Sequence, residues 1–321
     1  MKTIFSKSFQ GMKITYVLPF LCIGAIGLIF GSIFDLNLSN AIATKGTPFG
    51  MLFETWGSFF LTLLAPIGAG IMGNGMIRKG NKPIAIIIGI ILSAGALAMG
   101  IYYGFHSIAD GVHRSQYGYT LPLPAAIIVA SIVDLGLYSI GFFFADKEQS
   151  PYRLAIIGLA IFGTYLAVQG VFNIFKMLAA RPRYRFLAWE DNAYSVADFR
   201  AWWEFSLLHK LNDGGYGDVL KSFPSGHTGG TVAYICIPVI FSAFKKTKDN
   251  ELVHWIGVSA VLLLSIVVAF ARIVNGAHFL SDTAFGMIMA ALTALALYVL
   301  VNLLLRKVPN VDFARKENHA A

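Results

Sequence analysis

The chain has 321 residues, of which 56% are hydrophobic and only 13% charged, far below the roughly one-quarter charged content of a soluble domain, so an ordinary water-soluble globule is excluded. The formal net charge of +8 lies mostly in Lys and Arg between apolar runs, not on one groove-binding face, which argues against a nucleic-acid partner.

A helix needs about 20 predominantly apolar residues to cross a bilayer. In chain order such runs cover Ile14 to Ile33, Trp56 to Ile77, Pro83 to Phe105, Leu121 to Ala145, Leu154 to Phe175, Thr228 to Phe244, Leu252 to Ala271 and Thr283 to Leu305. The expected fold class is therefore all-α: a polytopic membrane helical bundle of about eight transmembrane helices, read as one integral membrane domain over 1–321. The first run follows Lys2, Lys7 and Lys13 but is too long for a signal-peptide core and has no A-x-A-like cleavage site, so a spanning helix is expected there. Cys22 and Cys236 lie inside apolar runs and read as small buried hydrophobes, not as a disulfide or a metal site.

Lys and Arg in short connections are retained on the cytoplasmic side. The N-terminus, Arg78 to Lys82, Lys147 to Arg153, Lys245 to Lys248, and the tail with Arg306, Lys307, Arg315 and Lys316 all fall on one side of an eight-helix bundle. Both termini are thus expected in the cytoplasm of a multi-pass cell-membrane protein, with 34–55, 106–120, 176–227 and 272–282 facing outward. The segment 176–227 breaks the pattern with Lys176, Arg181, Arg183, Arg185, Arg200, Lys210 and Lys221. Glu190, Asp191, Asp198, Glu204, Asp213 and Asp218 offset part of that charge, and Trp189, Phe199, Trp202, Trp203 and Phe205 suit the headgroup level.

Three clusters on the outward side carry chemistry. Lys176 and Arg183, with six residues between them in K-M-L-A-A-R-P-R, stand where the fifth run ends. They suit an interfacial anchor, or two cations converging on phosphate oxygens. Pro224-Ser225-Gly226-His227 opens the sixth run, where unpaired helix amides favour an anion, Gly226 admits close backbone approach and Ser225 adds a hydroxyl. The third cluster, A-R-I-V-N-G-A-H-F-L-S-D, holds Arg272, His278 and Asp282. His278 and Asp282 share a face if the eighth helix has begun, and an Asp accepting one imidazole N–H leaves the other nitrogen free to attack. Asn275-Gly276 between them also reads as a plain turn.

In order and spacing these three clusters resemble the signature of the type 2 phosphatidic acid phosphatase superfamily, which includes membrane lipid phosphate phosphatases, lipid pyrophosphatases, glucose-6-phosphatase-like enzymes and vanadium haloperoxidases. Two positions depart from it. Tyr184 follows Arg183 where the family has Pro, leaving Arg181, in the Arg181-Pro182 pair, as a rival phosphate ligand; Ala271 replaces the usual Ser. The resemblance covers the chain from the fifth helix on and implies a six-helix phosphatase core, with 83–145 as an extra helix pair and 176–227 as an outward-facing active-site loop.

The resemblance further implies that His278 is the nucleophile and forms a phosphohistidine, that Asp282 orients it, and that His227 protonates the leaving group and later activates water. Lys176, Arg183, Arg272, Ser225 and Gly226 would bind the phosphate without metal or other cofactor. Gln169, Asn173 and Lys176 fall on one helical face, so the first two are expected as support. The implied function is hydrolysis of lipid phosphates or diphosphates such as isoprenyl diphosphate, as in undecaprenyl diphosphatase, phosphatidic acid or phosphatidylglycerol phosphate. The motifs rank none of these. The alternatives are phosphotransfer to another acceptor, action on a soluble ester, or a non-enzymatic transporter of anionic lipids. Asp134, deep in the fourth run, is an intramembrane acid that the signature does not use.

Overall fold

The computed structural model describes residues 8–9, 12–80, 82–109, 114–189, 194–206 and 218–306. Lys2, Lys7, Asn81, Glu190, Asp191, Lys210, Asp213, Lys307, Arg315 and Lys316 lie outside them. After a two-residue strand pairing, Ser8–Phe9 with Met12–Lys13, the described chain is helical: α1 Ile14–Ile42, α2 Pro48–Thr62, α3 Leu64–Gly73, α4 Pro83–Ile108, α5 Arg114–Tyr117, α6 Leu123–Phe144, α7 Pro151–Ala179, α8 Tyr184–Ala188, α9 Gly226–Val232, α10 Ile237–Ser242, α11 Glu251–Val274 and α12 Leu280–Arg306.

Among the described residues, seven stretches are long and apolar enough to cross a membrane. Their outer surfaces carry exposed Ile29 and Ile33 on α1, Ile84 and Ile91 on α4, and Ile128 and Ile132 on α6. Water would penalise so many exposed branched side chains, whereas hydrocarbon accepts them and leaves the backbone to satisfy itself within each helix. The chain is a polytopic membrane protein.

The sixth expected span is not one continuous helix. Over 226–242 it forms α9, a 3-10 turn Ala233–Cys236 and α10. Gly229 and Gly230 in α9 lower helix propensity, and Pro238 sits at the start of α10, where its missing N–H has no helical partner to lose. Burial replaces continuity: Val232, Ala233, Ile235, Cys236 and Val239 are all enclosed by the core. Both cysteines are free thiols.

Two other spans outrun their apolar stretches. Helix α1 continues nine residues past Ile33 to Ile42, and α2 begins at Pro48, eight residues ahead of Trp56. Thr47 caps α2 by accepting a hydrogen bond from Gly50 N at 3.2 Å, with Pro48 in the first helical position. The connection 34–55 thereby shrinks to a few residues, and its acids ride on helices.

Helix α3 is buried along all ten of its residues and packs against α4, α6 and α7. The contact is close enough that a Cβ on Gly158 would lie 2.3 Å from Met72 N, and one on Gly70 would lie 2.1 Å from Tyr138 O. Small residues at these crossings let backbones approach where no hydrophobic effect pulls helices together in lipid. On the opposite side α1 lies along α12.

Candidate active site

Helix α7 ends at Ala179, and the left-handed backbone of its cap residue Ala180 (φ 45°) turns the chain across the bundle end. The segment after it is stitched on both sides. Ser222 N donates to Arg181 O at 3.0 Å and Arg183 N to Val219 O at 3.0 Å, while Arg185 N donates to Gly276 O at 2.8 Å. Ser225 N donates to Asp282 O at 3.0 Å. The three sequence clusters therefore meet at one end of the bundle.

His278 is buried, and its Nδ1 bonds the carbonyl oxygen of Ser222. A carbonyl only accepts, so Nδ1 carries the proton and Nε2 keeps its lone pair. Nε2 is buried and has no hydrogen-bond partner among the described residues. Burial, then the positive charges of Arg183, Arg272 and Lys176, push the His278 pKa well below its usual 6.5, so the free imidazole is neutral at neutral pH.

Asp282 lies 3.9 Å from His278 Nδ1, within ion-pair reach but outside hydrogen-bond distance. Its Oδ2 instead accepts from Ser222 Oγ at 2.5 Å and Phe279 N at 2.8 Å, and its Oδ1 from Arg181 Nη1 at 2.5 Å. The carboxylate thus ties together the backbone segments that flank the imidazole. Because α12 begins at Leu280, His278 precedes the helix and does not share a helical face with Asp282.

The His227 ring lies 6.5 Å from that of His278, centroid to centroid. Its Nε2 is 3.1 Å from the backbone carbonyl oxygen of Glu54. Gly57, one turn along α2, leaves room for this ring, since a Cβ there would stand 2.9 Å from His227 Cδ2.

The cations divide into two groups. Arg183 Nε and Nη2 bond the carbonyl and carboxylate of Asp218, each at 2.9 Å, while its Nη1 is buried without a partner among the described residues. Arg272 donates through Nη1 to Glu54, and its Nε and Nη2 are likewise buried and unpaired. Lys176 Nζ comes within 3.3 Å of where a Cβ would stand on Gly226. Arg183, Arg272 and Lys176 all lie near enough to act on the charge of His278, and the unpaired donors of the two arginines suit the equatorial oxygens of a phosphoryl group. Burial favours protonation of Asp218, but the charges of Arg183 and Arg185 outweigh it and hold that carboxyl below its usual range.

Arg181 belongs to the other group. Its Nε donates to Arg200 O at 2.8 Å, Nη1 to Ser281 Oγ at 2.9 Å and to Asp282, and Nη2 to Asp35 at 2.9 Å. Its guanidinium also stacks 4.3 Å from the Phe279 ring. Ser225 is the N-cap of α9, its Oγ 3.5 Å from Thr228 N and 3.1 Å from Thr228 Oγ1. Gln169 is half-buried on α7, and Asn173 is exposed.

Two carboxylates at this end were invisible to motif reading. Asp35 on α1 accepts from Ser281 N at 2.9 Å and from Ser281 Oγ, capping α12 from another helix. Glu54 on α2 accepts from Arg272, from Arg185 Nη1 at 3.2 Å and from Asn275 Nδ2 at 2.8 Å. Both acids sit in the 34–55 stretch that hydropathy assigns to a connection. Their only sequence signals are the Thr47-Pro48 helix start and the need of any buried arginine for a counter-charge.

No curated protein and no solved structure matches the chain. The sequence model of the PAP2 superfamily matches residues 158–306, a stretch of just under half the chain that runs from α7 to α12 and contains Lys176, Arg183, His227, Arg272, His278 and Asp282. Helices α1 to α6 lie outside that match. Over this segment the chain is similar to the PAP2 superfamily, that of the type 2 phosphatidic acid phosphatases, a similarity that supports a phosphatase-type activity in general.

Proposed function

We propose that this protein is an integral membrane phosphatase that hydrolyses phosphate or diphosphate monoesters of lipids through a phosphohistidine on His278. The supporting observation is the buried His278 imidazole, with Nδ1 held by the Ser222 carbonyl, Nε2 without a partner among the described residues, and Arg183, Arg272 and Lys176 near enough to act on its charge. Phosphoryl transfer asks a protein mainly for in-line positioning and for positive charge around the equatorial oxygens.

In this reading His278 Nε2 attacks phosphorus and the ester or anhydride P–O bond breaks. The imidazolium that forms keeps its Nδ1–H on the Ser222 carbonyl, in the field of Asp282. His227 supplies the proton that the departing alkoxide or phosphate takes. Water then attacks the phosphohistidine, His227 accepts its proton, the P–N bond breaks and inorganic phosphate leaves. Lys176, Arg183 and Arg272 hold the phosphoryl oxygens throughout, with Gly226 allowing close approach. Arg181, Ser225 and Asp282 shape the frame, and Gln169 supports α7.

The site end is opposite the connections that carry Arg78, Lys79, Lys147, Arg153, Lys245, Lys246 and Lys248. Positive residues stay in the cytoplasm, so in this proposal the site opens on the outer face of the cell membrane. The test is phosphate release by detergent-purified protein from isoprenyl diphosphate, phosphatidic acid and phosphatidylglycerol phosphate, with a water-soluble ester alongside. Vanadate-sensitive hydrolysis and an acid-labile phosphoenzyme, both lost in folded His278→Ala, are expected. Phosphate release by folded His278→Ala would overturn the assignment.

A further inference from the structure

Glu54 touches both halves of the site. Its carboxylate takes hydrogen bonds from Arg272, Arg185 and Asn275, and its backbone carbonyl faces His227 Nε2 at 3.1 Å. Glu54 itself is buried, so its charge is satisfied only by this arrangement.

Two geometric consequences follow. The carboxylate engages Arg272 through Nη1, which fixes the plane of the guanidinium and thereby the direction of its unpaired Nε and Nη2. The carbonyl accepts from Nε2–H of a neutral His227, which makes Nδ1 the basic nitrogen of that ring. Gly57 sits on the same helix with no side chain to displace the ring. A shift of α2 would therefore move the cation and the acid–base group together.

We propose that Glu54, on a helix outside the family-matched segment, is a positioning residue that couples the Arg272 phosphate grip to the His227 proton-transfer group. The proposal rests on the phosphatase reading above and adds to it a residue on which turnover depends. An acid beside phosphate-binding cations also admits a simpler role as bare counter-charge, and the two roles give opposite results. Neutralising a bare counter-charge tightens anion binding and leaves turnover intact. Neutralising a positioning residue loosens Arg272 and lowers turnover.

The experiment compares wild-type protein, Glu54→Gln and Gly57→Ala in detergent, measuring kcat, KM and the vanadate inhibition constant together with the melting temperature. Glu54→Gln is expected to lower kcat at least about tenfold and to weaken vanadate inhibition. In Gly57→Ala the new methyl group favours the helix but presses on the imidazole, so kcat is expected to fall at least about tenfold while vanadate inhibition stays within about threefold. Should Glu54→Gln fail to fold, Gly57→Ala still decides whether α2 positions His227. Wild-type kcat in folded Gly57→Ala overturns the inference, as does tighter vanadate inhibition with unchanged kcat in Glu54→Gln. If wild-type protein releases no phosphate from any substrate, the phosphatase reading fails first, and that result is distinct from either of these.

Discussion

Arg181 and Arg183 are separated by one proline yet enter different networks: Arg181 is saturated by Asp35, Ser281, Asp282 and the Arg200 carbonyl, whereas Arg183 pairs with Asp218 and its Nη1 has no partner among the described residues. The left-handed turn at Ala180 and the fixed φ of Pro182 set this division.

The two substitutions should consequently fail in different ways. Arg183→Ala is expected to reduce kcat/KM by about 100-fold or more through loss of a charged phosphate contact, with a melting temperature near wild type. Arg181→Ala strands two buried carboxylates and is expected to destabilise the fold by about 3–5 kcal/mol. Thermal unfolding in detergent, paired with vanadate inhibition, separates the outcomes; equal melting temperatures for the two variants would contradict the division.

His278 also predicts a pH dependence. The unfolded imidazole titrates near 6.5, and the folded one well below it. Between those values the unfolded chain binds more protons, so stability is complete above about pH 6.5 and declines as pH falls toward the folded pKa, by at most about 1.4 kcal/mol per unit. Replacing the ring in His278→Asn should make the acid-side decline of melting temperature shallower than in wild type. An identical slope in both proteins would contradict a buried neutral imidazole.

Asp134, on α6, is buried, and neither of its carboxylate oxygens has a partner among the described residues. It packs against α4, where a Cβ on Gly100 would stand 3.2 Å from its Oδ2. An acid in this setting is destabilising, and no described contact joins it to the histidines. Asp134→Asn, of nearly the same shape, is expected to raise the melting temperature and leave kcat/KM within about twofold. A large loss of turnover in a stable Asp134→Asn protein would instead mark it as functional.

Gly158 tests the fold itself. Its absent Cβ would stand 2.3 Å from Met72 N and 2.4 Å from Gly68 O, both backbone atoms that cannot swing away. Gly158→Ala should force α7 and α3 apart and destabilise by about 1–3 kcal/mol despite the better helix propensity of Ala. The contrast with Gly57→Ala, where the neighbour is a side chain, is read from melting temperatures of the two variants.

By itself the sequence determined the membrane class, the approximate spans and the three clusters that meet at the site. Run length against hydrocarbon thickness is a local property, and so is the spacing of Lys176 to Arg183 or of Arg272, His278 and Asp282. It also held the reasons for the broken sixth span, in Gly229, Gly230 and Pro238, but a run of apolar residues reads the same whether its helix is continuous or interrupted. Only the tertiary structure decided that His278 is held by the Ser222 carbonyl, that the donors of Arg181 are taken up by Asp35, Ser281, Asp282 and the Arg200 carbonyl while Arg183 pairs with Asp218, and that Glu54 meets Arg272. Those pairings include Glu54 with Arg272, 218 positions apart along the chain, and a carboxylate reveals its partner only when folding has buried both charges.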